Sequence, residues 1–588
     1  MPILDYLAII KRSEESVLFM SVSDYLFHLD ISTKALMSHV AKISSWARIA
    51  GSEEEAKSFE YIKEQLKDIG AEVTLMHHDA YISLPESASL VIDGIQFPCQ
   101  THSMVPSTGA SGLQADVVYV SGGKSRLSKE NICDKIVMID GRAVAEPVWL
   151  AQELGAAGVI FISGKNIYEM CISKVWGSPT KDEIEHLPKI PVVSVTQVTG
   201  DLIKEKITSG RVAATLTTSV RTEWCQIPLL TAEVKSSYSP EKFVMLSGHV
   251  DSWYYGATDN AAANAVMLEI GRLAVENRTR LCRTLRLVFF SGHSQGRYAG
   301  SSWYSDHFWE DLHKNCFLNI NVDVLGCKGA EDVTKAVTMT ESKGVIVEVV
   351  KKITGADFKG KRYARHADQS FWGAGVSSAL ASFSKQTAKI QESGAFTQPA
   401  GGPTDLGWWW HTPHDMLDKV DPDNLLRDGR IFAAITLDFC SRAIIPLDYR
   451  TSVAELEIIL RDWQKQAGDF FNLSILIHRI EMLKEEVKHL YASTPNESAA
   501  INSIENFNTA LLKIGRILVQ LNYTQGKIFE NDRAVSQSPM PALTLIKDLA
   551  AADVNRRKML LTELVRRRNY VAYALDQAIQ IVQRFFGK

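Results

Sequence analysis

The chain has 588 residues, too many for one ordinary core, so about two to four domains are expected. Its composition, 46% hydrophobic and 22% charged with a formal net charge of -4, is that of a globular protein and gives no electrostatic reason to expect a nucleic-acid partner. The opening MPILDYLAIIKRSEESV lacks a charged-then-apolar-then-small leader layout, and no apolar stretch approaches the roughly 20 residues that cross a bilayer. The eight cysteines have no CxxC spacing and several sit in apolar runs, which suits reduced thiols. A cytoplasmic protein with small-molecule or peptide partners, no nucleic acid and no membrane is therefore expected.

Residues 33 to 70 read as helix. Ser52 is placed to cap, Glu53, Glu54 and Glu55 suit a first turn, and Gly70 suits the stop. Phe59, Ile62, Leu66 and Ile69 recur at helical spacing and predict one buried face. Between 81 and 225 the texture changes to short β-rich runs, ADVVYV, KIVMID, AGVIFI and PVVSV, broken by Gly, Pro and Ser clusters. This reads as a β-rich domain inserted into a larger one. From 243, FVMLSG, TLRLVFFSG, FLNINVDVLG and VSSALASFS read as buried strands, the first two separated by the helical AAANAVMLEIGRLAVEN. That is an α/β fold, a mostly parallel sheet flanked by helices. After 446 the strands stop, and stretches such as VAELEIILRDWQKQAGDFF and NRRKMLLTELVRRRNYVAYALDQAIQIVQRFF read as a carboxyl-terminal bundle of long amphipathic helices. The expected layout is an α/β domain over 1–80 and 226–445, an insert over 81–225 and a helical domain over 446–588.

In open α/β sheets ligands gather beyond the carboxyl ends of the strands. The first strand from 243 is followed by His249 and Asp251, with Asp259 and Asn260 opening the next helix; the second is followed by His293 and Ser294. Asp323 stands near the end of the third, and WWWHTPHDMLDKVD supplies His411, His414 and Asp415 after the fourth. Imidazoles and carboxylates thus have a common place to converge, and zinc or a similar divalent cation prefers that mixture. Plainer readings stand beside this one. Asp259 and Asn260 also suit a helix cap, His249 a satisfied strand end, Asp251 a turn or a partner fixing an imidazole tautomer, and Asp415 and Asp418 loop or capping positions. Asp323, among apolar residues, is harder to dismiss, because an unpaired carboxylate there is unfavourable to bury. Trp253, Tyr254, Tyr255, Trp408, Trp409 and Trp410 either line a pocket for an apolar substrate group or pack the loops. Arg297 either pairs with a substrate carboxylate or is structural.

The order HVDS, TDNAA, SGxxQG, NVDVLG and HTPHDMLDKVD resembles the di-zinc metallopeptidase family that contains bacterial leucine aminopeptidases and glutamate carboxypeptidase II. The resemblance covers residues 33–80 and 226–445, including ARIAGSEEEAKSFEYIKEQLKDIGAEV. The insert looks like a protease-associated domain, and the tail resembles the dimerisation domain of the glutamate carboxypeptidase and transferrin receptor branch, which implies a homodimer. The resemblance implies that Asp259 bridges two ions, with His249 and Asp323 on one and His411 on the other, and that Asp251 orients the cluster. Asp368, in RHADQSFWGAG, matches a position near the substrate end; with Arg297, Trp410 and Tyr254 it makes up the expected substrate contacts.

In that family the second strand ends in two glutamates, the first a base toward water and the second a ligand. Here His293 and Ser294 hold those places, and the turn SQGRYAGS is one residue longer. The expected catalytic set is therefore His293, Asp251 and Ser294. A serine hydroxyl is a poor zinc ligand, so the second ion is expected to bind weakly. An imidazole serves either as ligand or as base near neutral pH, and His313 and His366 are candidate reinforcements. One or two zinc ions, or another divalent metal, are implied. Three readings stay open: a metal-dependent hydrolase of peptide or small amide bonds, a non-catalytic binding protein like the transferrin receptor, and a metalloenzyme acting on another small amide or carbamoyl substrate.

Overall fold

A computed structural model describes residues 22–386, apart from 364, 366 and 384, and residues 405–587, apart from 497, 498 and 527. The 33–70 region is two helices rather than one, α1 (Thr33–Ile43) and α2 (Glu53–Asp68), joined by a turn. Ser52 Oγ accepts the Glu55 amide at 3.1 Å and starts α2 as its sequence predicts. The break lies before it, where Arg48 is drawn fully inside.

Next come β1 (Glu72–Ile92), β2 (Leu113–Tyr119), β3 (Ile136–Asp140), β4 (Gly158–Ile162), β5 (Val192–Val195) and β6 (Ala213–Val234). β1 and β6 pair antiparallel from Glu72↔Glu233 to Ile92↔Ala214, with a bulge between Pro85 and Ser87. At about 3.3 Å per residue this ribbon is roughly 70 Å long, and two cores are strung on it. Leu230, Ala232 and Val234 at one end belong to the main core. Leu90, Ile92, Ala214 and Leu216 at the other belong to a second core with Ile136, Met138 and Ile160. Ala80 and Cys225 face each other partway along.

The main body continues with β7 (Phe243–His249), α3 (Ala262–Glu276), β8 (Thr284–Phe290), β9 (Cys316–Asn321) and β10 (Ser377–Ala379). The order β10-β9-β7-β8 is parallel throughout, and β8 joins β6 antiparallel at Leu285↔Val234. Beyond β6 the sheet runs on through β2, β3, β4 and β5, where β2 is antiparallel to β6 and the rest are parallel. Every residue of β7 is buried, as in a strand covered on both faces. This is an α/β fold, a mostly parallel sheet flanked by helices, with a β-rich insert and a helical tail.

The tail holds α4 (Tyr449–Ala467), α5 (Ser474–Ala492), α6 (Ile501–Tyr523) and α7 (Val554–Phe585). Each buries one stripe, such as Leu476, Ile480, Leu483, Val487 and Leu490 on α5. The main core runs into these helices without a gap.

Candidate metal centre

β7 ends on His249, and the glycine before it lets three elements crowd together. A Cβ on Gly248 would stand 2.8 Å from Val322 O and 2.9 Å from Met267 Sδ. The chain then loops over Arg48, whose buried guanidinium donates to the carbonyls of Val250, Tyr255, Gly256, Ile43 and Trp46 over 2.7–3.0 Å. One side chain therefore fixes both ends of the loop. Gly256 lies at φ 46°, where a Cβ would meet Asp259 O at 2.1 Å. The backbone at Asp259 and Asn260 is non-helical, so Asp259 precedes α3 rather than opening it. Asn260 ties two strand ends, its Nδ2 donating to His249 O at 3.3 Å and Val322 O at 3.1 Å while its Oδ1 accepts Val324 N at 3.1 Å.

His249, Asp259, Asp323 and His411 come together. His249 Nε2 lies 3.2 Å from Asp259 Oδ1 and 3.4 Å from Asp323 Oδ1, and His411 Nε2 lies 3.2 Å from Asp259 Oδ2. Asp259 thus offers one oxygen to each imidazole. His249 Nε2, Asp259 Oδ1 and Asp323 Oδ1 are buried and, although close, make no hydrogen bond. Lone pairs gathered this way are what a cation satisfies, and two imidazoles with two carboxylates suit zinc. The opposite nitrogens are held by main chain: His249 Nδ1 donates to Asp251 O at 2.8 Å and His411 Nδ1 to Glu169 O at 2.6 Å, which turns each Nε2 toward the carboxylates.

Burial opposes charge on His249, but Asp259 and Asp323 overcome it and hold its proton affinity well above the ordinary histidine range. Burial also opposes ionisation of Asp259 and is outweighed by His249 and His411, which keep its carboxyl well below the usual range. At His411 burial wins and the pKa is lowered. The convergence that gives His249 its grip on a proton fits it equally for a metal ion.

The turn after β8 is organised differently. The Asp251 carboxylate accepts His293 N at 3.0 Å and Ser294 N at 2.8 Å. Its bond to the His249 imidazole comes from the main chain, so one residue serves both strand ends. His293 Nδ1 donates to Asp368 Oδ2 at 2.7 Å. Burial works against charge on Asp368, yet His293 draws its carboxyl below the usual range.

A donor atom from each of His249, His293 and Asp323 lies within 4.8 Å of the others, the spacing of a metal shell. The two imidazoles, however, stack face to face, with centroids 3.8 Å and planes 15° apart. A ligating imidazole holds its ion near the ring plane, about 2.0–2.1 Å from the nitrogen. Nearly parallel planes at this spacing share no such point, so His249 and His293 do not ligate one ion in this arrangement.

The remaining expected contacts lie around this cluster. Tyr254 OH donates to Glu169 Oε1 at 3.0 Å. Trp410 stacks on the His411 ring with centroids 3.4 Å apart, and the Arg142 guanidinium lies 4.9 Å over the indole. Arg297 is turned to the tail, where Nη2 donates to Ala534 O. His313 is no reinforcement: its Nδ1 donates to Ala374 O at 3.0 Å and its ring stacks on Trp309. His366 lies outside the described residues.

Two participants escape the sequence reading. Asp415, read as a loop or capping residue, is buried and accepts the Thr258 amide at 3.0 Å and the Asp259 amide at 3.1 Å, holding the backbone of the bridging carboxylate. Burial pushes its carboxyl up to about 7. Glu169 comes from the insert. Besides its carbonyl bond to His411, its amide donates to His411 O at 3.1 Å, and burial pushes its carboxyl up to about 7. No motif marks it, and its partner lies 242 positions along the chain.

Residues 230–436 match the model of peptidase family M28, and residues 108–203 that of the PA domain. Probable glutamate carboxypeptidase VP8 of Zea mays is 23% identical over 239 residues, 38% of this chain and 32% of that protein, so the chain spans about a third of that relative's length. Aminopeptidase YwaD of Bacillus subtilis is 23% identical over 420 residues, 69% of this chain and 84% of that protein. The solved structure of BSAP, a zinc aminopeptidase from Bacillus subtilis, shares the fold, with a TM-score of 0.54 at 21% identity over 70% of this chain and 96% of that one.

Proposed function

From the premise that residues 230–436 form a peptidase family M28 domain and residues 108–203 a PA domain, we propose that the protein is a metal-dependent hydrolase of peptide or small amide bonds. The observation that carries this reading is the meeting of His249 and His411 with the two oxygens of Asp259, beside Asp323, with lone pairs that no hydrogen bond satisfies. His249, Asp259 and Asp323 would hold a zinc ion. Asp259 and His411 offer a thinner second site, because Ser294 brings no anionic oxygen. When bound, such an ion supplies Lewis acidity toward a carbonyl and makes water a stronger acid.

The chain's own residues move the protons. With Nδ1 committed to Asp368, His293 keeps its lone pair on Nε2, able to take a proton from the attacking water and return it to the leaving amine. Asp368 fixes that tautomer and stabilises the imidazolium. Asp251 holds the amides of residues 293 and 294, keeping the ring in place over His249.

Metal content per chain, measured by elemental mass spectrometry after zinc dialysis and beside the turnover of amino-acid amides, tests the reading. One firmly held ion is expected, lost in His249→Ala and in Asp259→Asn. Full metal in both variants would remove the proposed site, and wild type with neither metal nor turnover would leave the non-catalytic reading. The same proposal includes a cytoplasmic homodimer. Eight free thiols support the compartment, and Val554, Met559 and Tyr573, at least 65% exposed on α7, support association through the tail. No helix among the described residues is long and apolar enough to cross a membrane.

A further inference from the structure

The helix Pro422–Ser441 leads from the main body toward the tail, and like any helix it leaves its last carbonyls without partners of its own. The connection between α3 and β8 supplies them. Cys440 O accepts the amides of Cys282 at 2.9 Å and Arg283 at 3.1 Å. The Arg283 guanidinium donates to the carbonyls of Phe439, Arg442 and Ala443 over 2.6–3.0 Å, and Cys282 Sγ donates to Ser441 O at 3.0 Å. Two cysteines far apart in the chain are thus joined by a main-chain hydrogen bond at the neck between body and tail.

Such a bond holds two Cα atoms about 5–6 Å apart, inside the range that a disulfide spans. The surroundings favour sulfur chemistry. Arg283 is 2% exposed, the hydrogen bonds of its guanidinium go to neutral carbonyls, and among the described residues no carboxylate forms an ion pair with it. A buried cation in that position favours a thiolate beside it, and the groups its charge meets first are the thiols of Cys282 and Cys440. Cys282 is half-buried and within reach of a small oxidant. Cys440 is fully buried, and burial pushes its thiol up to about 12 against the pull of Arg283, so it is not the first of the two to react.

We infer that Cys282 and Cys440 are an oxidisable pair that closes to a disulfide across the neck, with a hydroperoxide as the oxidant. Cys282 gives up its proton and its sulfur attacks the peroxide. The O–O bond breaks, leaving a sulfenic acid on Cys282 and, with that proton, water or an alcohol. The Cys440 sulfur then bonds to the Cys282 sulfur, the S–O bond breaks, and the hydroxide departs as water with the Cys440 proton. The two sulfurs together give up two electrons and the peroxide takes them. In a reducing compartment such a pair stays open and closes only transiently. It lies at the start of β8, the end away from His293, so it is independent of the hydrolase reading.

The test exposes the full chain to hydrogen peroxide in slight excess, alkylates the remaining thiols in denaturant and maps the digest by mass spectrometry. A cross-linked peptide joining Cys282 to Cys440 is expected, two hydrogens lighter than its parts and reversed by dithiothreitol. Cys282 should be consumed at least about tenfold faster than Cys133, which is also half-buried but lacks the arginine. In Cys440→Ala, dimedone should trap Cys282 as its sulfenic acid; in Cys282→Ala, Cys440 should remain a thiol. Oxidation of Cys282 no faster than of Cys133, a cross-link from Cys282 to a different cysteine, or a cross-link that forms only in urea overturns the inference.

Discussion

His293 is constrained on three sides. Nδ1 is held by Asp368, the ring face by His249 and the amide by Asp251. What remains is the Nε2 lone pair, and a base that cannot swing away is already oriented for proton transfer. His293→Ala is expected to reduce kcat by about 10²–10⁴-fold and leave the metal content of the chain unchanged. Loss of the ion would instead make the residue a ligand, so elemental analysis of the same preparation decides between the two roles. Asp368→Asn, which keeps the shape but removes the charge facing Nδ1, is expected to lower kcat with little change in KM. Most of this cluster was legible, because imidazoles and carboxylates at four strand ends stand out among apolar neighbours. The resemblance implied a place for Asp368 near the substrate end of the site, and the residues left His293 open between base and ligand. The stacking of His293 on His249, a relation in space that no spacing encodes, keeps the two rings off one shared ion, and the metal analysis decides between base and ligand of a second ion.

Among the elements, the ribbon of β1 and β6 shows why local signals run out. Ala80 and Cys225 pair across it, so the change of texture falls opposite itself, but nothing at either position announces a partner so far away. The single helix read over 33–70 likewise breaks between Ile43 and Glu53, where Arg48 finds carbonyls in the 250–256 loop. The insert carries a titration of its own. His102 is fully buried, with Nε2 2.7 Å from Ser194 Oγ, and burial pushes its pKa down to about 3. On β1, burial lowers His78 to about 4. A histidine whose folded value is depressed leaves the unfolded chain as the better proton binder below about 6.5, so stability is intact above that pH and is lost as pH falls toward the folded value. For His102 the loss at pH 5 is about 2 kcal/mol relative to pH 7. Urea unfolding at the two pH values measures it. His102→Gln is expected to flatten that dependence by the same amount, and an unaltered slope would mean the imidazole is already charged in the fold.

At the scale of the whole molecule, the insert, the turn after β8 and the tail meet at one point. Trp176 from the insert, Tyr298 from the turn and Ala534 from the tail form a small buried cluster. Hydrogen bonds reinforce it: Ala534 N donates to Lys174 O at 2.9 Å, and Trp176 Nε1 and Arg297 Nη2 donate to the carbonyls of Asp532 and Ala534. Beneath them Arg365 pairs with Asp532 at 3.2 Å, both side chains buried. Tyr298 N also donates to His293 O at 3.2 Å, and the two rings meet edge to face with centroids 4.8 Å apart. The tail therefore buttresses the turn that carries the proposed base, a task that amphipathic periodicity alone does not reveal. Truncating Trp176, which is 2% exposed, to alanine removes the centre of this junction and is expected to cost about 3–5 kcal/mol where the three units unfold together. The Tm should fall, and so should kcat, because His293 loses the neighbour that holds its turn, while metal content per chain is expected to stay the same. A tail serving only for association would give a different result: Trp176→Ala would unfold the tail at lower temperature and leave kcat per folded chain as it was. Turnover measured well below the first thermal transition separates these outcomes, since there the tail is still docked and any loss of rate reports on the turn itself.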